Sequence, residues 1–168
     1  MLRNMIIALA HKVYLDKLRQ DFGTSMGFHI GHGTVRTAVM GFERRKPTPE
    51  ELERMKDHVR VAMEAGALGI SFGMIYTPGT FADTEEMIEL CKVAAEYGGD
   101  MTIHMRNEGV RLVEAVEETL RIVRETGIRC VISHHKASGG PMCWNKTAAT
   151  LSIMDRMVEQ GYDVFCDQ

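Results

Sequence analysis

The sequence predicts an α/β protein with about five parallel strands and intervening helices, forming part of a TIM-like (β/α)8 barrel. Three observations predict it. Short apolar runs and amphipathic helical segments alternate from residue 26 to the last residue, the pattern of parallel strands joined by crossover helices. The strand centres Ile70, Ile103, Ile132 and Val164 recur about every 30 residues, one βα repeat each. Polar residues stand where strands end: His32, Ser71, His104 with Arg106, His134 with Lys136, and Asp167. That end of a barrel is where chemistry is built. A doubly wound dinucleotide fold predicts G-x-G-x-x-G after its first strand instead. Gly31-His-Gly33 is followed by Arg36 where the third glycine would stand, and no P-loop occurs.

The elements follow in order. Residues 5–20 carry apolar positions compatible with a helix, and residues 26–33 read as a strand followed by a loop. Thr48-Pro49-Glu50-Glu51 supplies an N-cap, a proline at the first helical position and a Glu three residues after the cap. Leu52, Met55, Val59, Ala62 and Met63 then recur at helical spacing up to Gly66. Residues 67–71 form the next strand. Asp83, with Glu86 three residues on, starts a helix whose apolar face is Met87, Leu90, Cys91, Ala94 and Ala95. Residues 101–104 are a strand. A helix bearing Val113, Val116, Leu120 and Val123 runs to Gly127, and residues 129–133 are the fourth strand. Leu151, Met154, Met157 and Val158 mark the last helix, and residues 163–166 the fifth strand. A complete barrel takes about 250 residues, so a chain of 168 supplies roughly five strands of it.

Composition narrows the class. The chain is 45% apolar and 26% charged, ordinary for a globular protein able to fill a core. A net charge of −3 leaves no basic footprint for nucleic acid or an anionic membrane. No apolar run reaches the length of a transmembrane helix, and no signal peptide is read at the N-terminus. None of the four cysteines forms a C-x-x-C pair, which argues against a disulfide framework or a zinc ribbon. Cys91, Cys130 and Cys166 lie in apolar segments and are expected reduced and buried, as in a cytoplasmic protein. Cys143, in a loop beside Trp144, is the one expected to be exposed.

His104 and His134 are separated by one βα repeat, so equivalent strand ends bring them side by side. Neutral imidazole is the commonest protein ligand for zinc. The same spacing also fits two polar residues that merely cap strands. Strand alternation turns His135 away from His134, as a supporting or packing residue. No third ligand stands at a convincing position; Asp167 and His32 are the available candidates. His32 has room made by its flanking glycines and is an alternative supporting residue. Arg106 and Lys136 each lie two residues beyond a histidine. They suit a substrate carboxylate, Arg as a fork and Lys as a point charge, and equally suit surface charges at a helix start. Tyr76 and Pro78 shape a loop, and His11, His29 and His58 read as structural.

These residues resemble the N-acyl-D-amino-acid deacylases (D-aminoacylases) of the amidohydrolase superfamily. The resemblance runs from about Tyr14 to Gln168, and residues 1–13 fit poorly. It rests on the words G-H-G-T-V-R at 31–36, G-I-S-F-G at 69–73 with Y-T-P-G at 76–79, T-I-H-M-R-N-E-G at 102–109 and I-S-H-H-K at 132–136. It implies a TIM-like barrel holding zinc, one or two ions in the complete enzyme, with His104 and His134 as ligands. It implies that Lys136 grips the carboxylate of a small N-acyl amino acid, assisted by Arg106, and that an amide C–N bond outside a peptide is hydrolysed. Family members also use an upstream H-x-H pair, an upstream Cys ligand and a downstream Asp as general base. None of these matches a residue here, so the chain is expected to be a central fragment with no catalytic base of its own. Other readings are a dihydroorotase-like or hydantoinase-like amidohydrolase, a metal-binding module without catalysis, and a non-catalytic remnant that pairs with a partner half-barrel or self-associates through its unclosed sheet.

Overall fold

The computed structural model describes residues 13, 14, 16, 17, 23 and 26–168. The helix expected over residues 5–20 falls mostly outside them. From residue 26 on, five strands and five helices follow in order, with two helices in succession after the first strand: β1 (His29–Gly31), α1 (His32–Met40), α2 (Pro49–Glu64), β2 (Gly69–Gly73), α3 (Thr84–Glu96), β3 (Asp100–His104), α4 (Leu112–Thr126), β4 (Arg129–Ile132), α5 (Lys146–Glu159) and β5 (Val164–Cys166). A 3-10 turn, Gly79–Phe81, lies between β2 and α3.

The sheet order is β1-β2-β3-β4-β5, and every neighbouring pair is parallel. A doubly wound sheet reverses its order at a switch point; this one never reverses. Right-handed crossovers on an unreversed sheet put all helices on one face, and successive helices pack in series from α1 to α5. The result is an arc of a barrel. Among the described residues it does not close, and β1 and β5 are its edges.

The two faces of the sheet differ. Ile30, Ile70, Phe72, Met101, Ile103, Cys130, Ile132 and Val164 are buried under the helices, against Met55, Val59, Leu90, Val116, Leu120 and Val123. The alternate positions Asp100, Thr102 and His104 lie on the concave face and are only partly covered. Across that face, Gly69 stands in register between His29 on β1 and Asp100 on β3. His29 Nε2 and Asp100 Oδ1 are hydrogen-bonded over the missing side chain.

The local signals act as expected at most element ends. Thr48 and Glu51 make both halves of a capping box, with Pro49 at the first position of α2. Asp83 Oδ1 accepts the Glu86 N–H at 3.0 Å to start α3. Gly127 closes α4 with φ 68°. Three expectations are corrected. First, no loop follows β1: α1 begins at His32, and its buried face is His32, Val35, Arg36 and Met40. Two of those four are basic, which hid the helical period. Second, α5 buries Thr150, Met154 and Met157, while Leu151 and Val158 are exposed. Third, the cysteine burial is reversed at two positions. Cys143 is fully buried against Gly139, and its neighbour Trp144 takes the solvent. Cys166 is exposed, because no described helix covers the outer side of β5 beyond Val164. No described helix is long and apolar enough to cross a membrane.

A Cβ at position 69 would lie 2.0 Å from the Asp100 carbonyl oxygen. Gly69→Ala is therefore expected to destabilise the chain by about 2–3 kcal/mol, read as a lower urea midpoint at unchanged slope.

Candidate metal centre

β3 and β4 pair with Ile103 opposite Ile132, so both strands end at the same level. His104 closes β3. His134 lies two residues past the end of β4, and its backbone is left-handed, φ 43°. The two imidazoles meet: His104 Nδ1 is 2.8 Å from His134 Nε2, with ring centroids 4.5 Å apart. The loop after β3 brings Glu108 to the same point. Its Oε1 is 2.9 Å from His134 Nδ1 and 3.9 Å from His104 Nε2. Its Oε2 is 2.7 Å from Lys136 Nζ. One ligand atom from each of His104, Glu108 and His134 lies within 4.8 Å of the others.

Short-range polar geometry fixes Glu108. Asn107 Oδ1 accepts the N–H groups of Gly109 at 2.9 Å and Arg111 at 3.0 Å, which turns the chain at Glu108. The Glu108 carbonyl accepts the Ser138 N–H at 2.6 Å, joining this loop to the one after β4. On the other side, the Tyr76 ring lies 5.1 Å from the His104 ring. The Met74 N–H donates to the His104 carbonyl at 3.0 Å.

The electrostatics suit a ligand set. Burial holds the His104 pKa below its ordinary value, which favours the neutral imidazole that binds metals. Burial alone would raise the Glu108 carboxyl. The Lys136 hydrogen bond and charge outweigh it and bring the carboxyl below its usual range, so Glu108 is ionised at neutral pH. His104 Nε2 is buried and has no hydrogen-bond partner among the described residues. Such an atom is costly unless a further group fills the site.

The remaining residues singled out from sequence divide. Lys136 is at the centre, bonded to Glu108 and, at 3.1 Å, to both the His134 carbonyl and His134 Nδ1. Arg106 is engaged elsewhere. Its Nε reaches Glu118 Oε2 at 3.0 Å, and its Nη2 reaches Glu118 Oε1 at 3.1 Å and the Ala82 carbonyl at 3.0 Å. His135 is buried, with Nε2 2.9 Å from Thr150 Oγ1 on α5. His32 is buried against Phe72, with Nε2 2.7 Å from Glu86 Oε1, and the second Glu86 oxygen pairs with Arg36. It braces α1 to α3. Asp167 turns its carboxylate to the His134 backbone N–H. Of the three ligand candidates, Glu108 is the one that sequence reasoning missed. It lies four residues after His104, but in a loop that spacing says nothing about direction; the Asn107 turn decides it.

No family model matches the chain. It is 43% identical over 143 residues to a D-aminoacylase of Alcaligenes xylosoxydans xylosoxydans, covering 84% of this chain and 29% of that protein. A crystal structure of N-acyl-D-glutamate deacylase from Bordetella bronchiseptica, with zinc and a phosphonate mimic of the tetrahedral intermediate, superposes with a TM-score of 0.86 at 40% identity. It covers 92% of this chain and 32% of that one. Over the stretch it spans, the chain belongs to the D-aminoacylase family. A D-aminoacylase crystal structure agrees, with a TM-score of 0.87 at 38% identity over 94% of this chain and 33% of that one. An L-hydantoinase from Arthrobacter aurescens, 18% identical with a TM-score of 0.55, shares the fold. The chain thus spans about a third of the length of its D-aminoacylase relatives.

Glu86 neutralises Arg36 in a site where both side chains are almost wholly buried. Glu86→Ala strands that guanidinium and removes the partner of His32. The expected loss is about 3–5 kcal/mol of folding stability, measured by denaturant unfolding of the metal-free chain.

Proposed function

We propose that this chain carries part of the active site of a zinc-dependent hydrolase that deacylates N-acyl-D-amino acids. The observation that carries the reading is the meeting of His104, His134 and Glu108 at the end of β3 and β4, with Lys136 against Glu108. Two imidazole nitrogens and a carboxylate oxygen are a donor set that zinc accepts in catalytic sites. The buried Nε2 of His104, without a hydrogen-bond partner among the described residues, faces this space, 3.9 Å from Glu108. A similar protein has been solved with zinc and a mimic of the tetrahedral intermediate, which supports the same reading here.

When bound, zinc supplies Lewis-acid polarisation of an amide carbonyl. The chain's own residues do the rest. Lys136 offers a point charge on a flexible stem, suited to a substrate carboxylate. Its present partner is the Glu108 carboxylate. Arg106 serves indirectly. Its fork ties the loop after β2, through Ala82, to α4 through Glu118, and so steadies the wall that carries Tyr76. On the helix side His135 bonds to the Thr150 side chain and His32 to Glu86. None of the described carboxylates is assigned as the base that manages the proton.

Two measurements test this. Equilibrium dialysis is expected to load about one zinc per chain, and His104→Ala to abolish it. A wild-type chain that takes up no zinc overturns the metal centre. Zinc-loaded chain with N-acetyl-D-methionine is expected to give little or no turnover; robust hydrolysis would show that the base lies within the chain after all.

A further inference from the structure

We infer that Asp167 is a positioning residue for His134, aiming its imidazole through the backbone; this rests on the metal-site reading above. Side chains of a strand alternate between its two faces. Ile132 is buried under the helices, so an extended continuation would put Ser133 on the concave face and His134 back among the helices. The opposite is found. His134 meets His104 on the concave side, and His135 enters the helix layer to reach Thr150. The left-handed backbone of His134, φ 43°, makes this reversal. It is the single non-glycine residue with positive φ among the described residues. In that region the Cβ of an L residue crowds the next carbonyl oxygen, so the conformation persists only where neighbours impose it.

Asp167 is the residue that imposes it. Strand pairing between β4 and β5 ends at Ile132 and Cys166. Just beyond, Asp167 makes three bonds to the reversing segment. Its N–H donates to the Ile132 carbonyl at 3.1 Å, and its carbonyl accepts the His135 N–H at 2.7 Å. Between them, its side-chain Oδ1 accepts the His134 N–H. The two backbone bonds bracket the bend and are independent of side-chain identity. The third exists only because residue 167 carries an acceptor of this length. The carboxylate is not one of the ligand atoms gathered at the centre; it acts on the ligand's backbone instead. Without it the His134 N–H loses its partner, and the backbone is free to relax toward the extended form that withdraws the imidazole from His104 and Glu108.

Asp167→Ala and Asp167→Asn separate this role from others, in the 168-residue chain with zinc alone as probe. Asp167→Ala is expected to bind zinc about 10–100-fold more weakly, the usual effect of losing a group that orients a ligand. Its far-UV circular dichroism should match wild type. Asp167→Asn keeps the acceptor oxygen and should retain most of the affinity. The visible bands of the cobalt-loaded chain should change in the alanine variant and not in the asparagine variant. A group that only anchors β5 would leave them alike. If the alanine variant does not fold, Asp167→Ser, polar but too short to reach, gives the same comparison. Folded Asp167→Ala that binds zinc as tightly as wild type overturns the assignment while leaving the metal centre standing. Absence of zinc from wild type removes both.

Discussion

The parallel pairing of β3 with β4, Ile103 opposite Ile132, puts two strand ends at one level and sends both histidines out of the same end of the sheet. The rest of the site depends on that register. A slip by one residue would exchange the faces of every side chain on a strand, burying His104 among the helices and lifting Ile103 into the open. The register is secured by what lies under it. Met101, Ile103, Cys130 and Ile132 are fully or almost fully buried, and α4 presses Val116, Leu120 and Val123 into the same core. A hydrophobic layer on one side of the sheet thus fixes a polar arrangement on the other.

Polar groups are buried here in two different ways. Glu86 is shared between His32 and Arg36, and this cluster joins α1 to α3 at the first strand's end, with His32 Nδ1 and Arg36 Nε left without a hydrogen-bond partner among the described residues. It costs desolvation and returns a fixed geometry for the backbone around Phe72 and Gly79. The centre at His104 is left open. Glu108 and Lys136 neutralise each other, His134 bonds to both its neighbours, and one nitrogen of His104 has no partner among the described residues.

Much of this arrangement was legible in the sequence. The alternation of apolar runs and amphipathic helices, the capping box at Thr48, the stop at Gly127 and the even spacing of the strands all act locally, and local signals survive into the fold. His104 and His134 were singled out because one βα repeat separates them, His104 closing β3 and His134 following the end of β4 by two residues. Glu108 was not, because its direction is set by a loop and the Asn107 turn. The start of α1 at His32 was hidden because its buried face contains Arg36, which is accommodated by Glu86, fifty residues away, and by the Glu43 and Arg45 carbonyls. Cys143 and Cys166 exchanged places for similar reasons. Which thiol is covered depends on a loop folding back in one case and on a helix not following in the other, and neither is visible in nearby residues.

The unreversed strand order also bears on how the chain acquires its shape. Each strand pairs only with the strand before it and the strand after it. Among the described residues every sheet contact is therefore closed by a segment of about one repeat. Pairing over one repeat carries a smaller loop-closure cost than pairing over several would. On the ribosome, β2, α3 and β3 can pair before β5 has been made, so the sheet can grow outward by one strand at a time as the chain emerges.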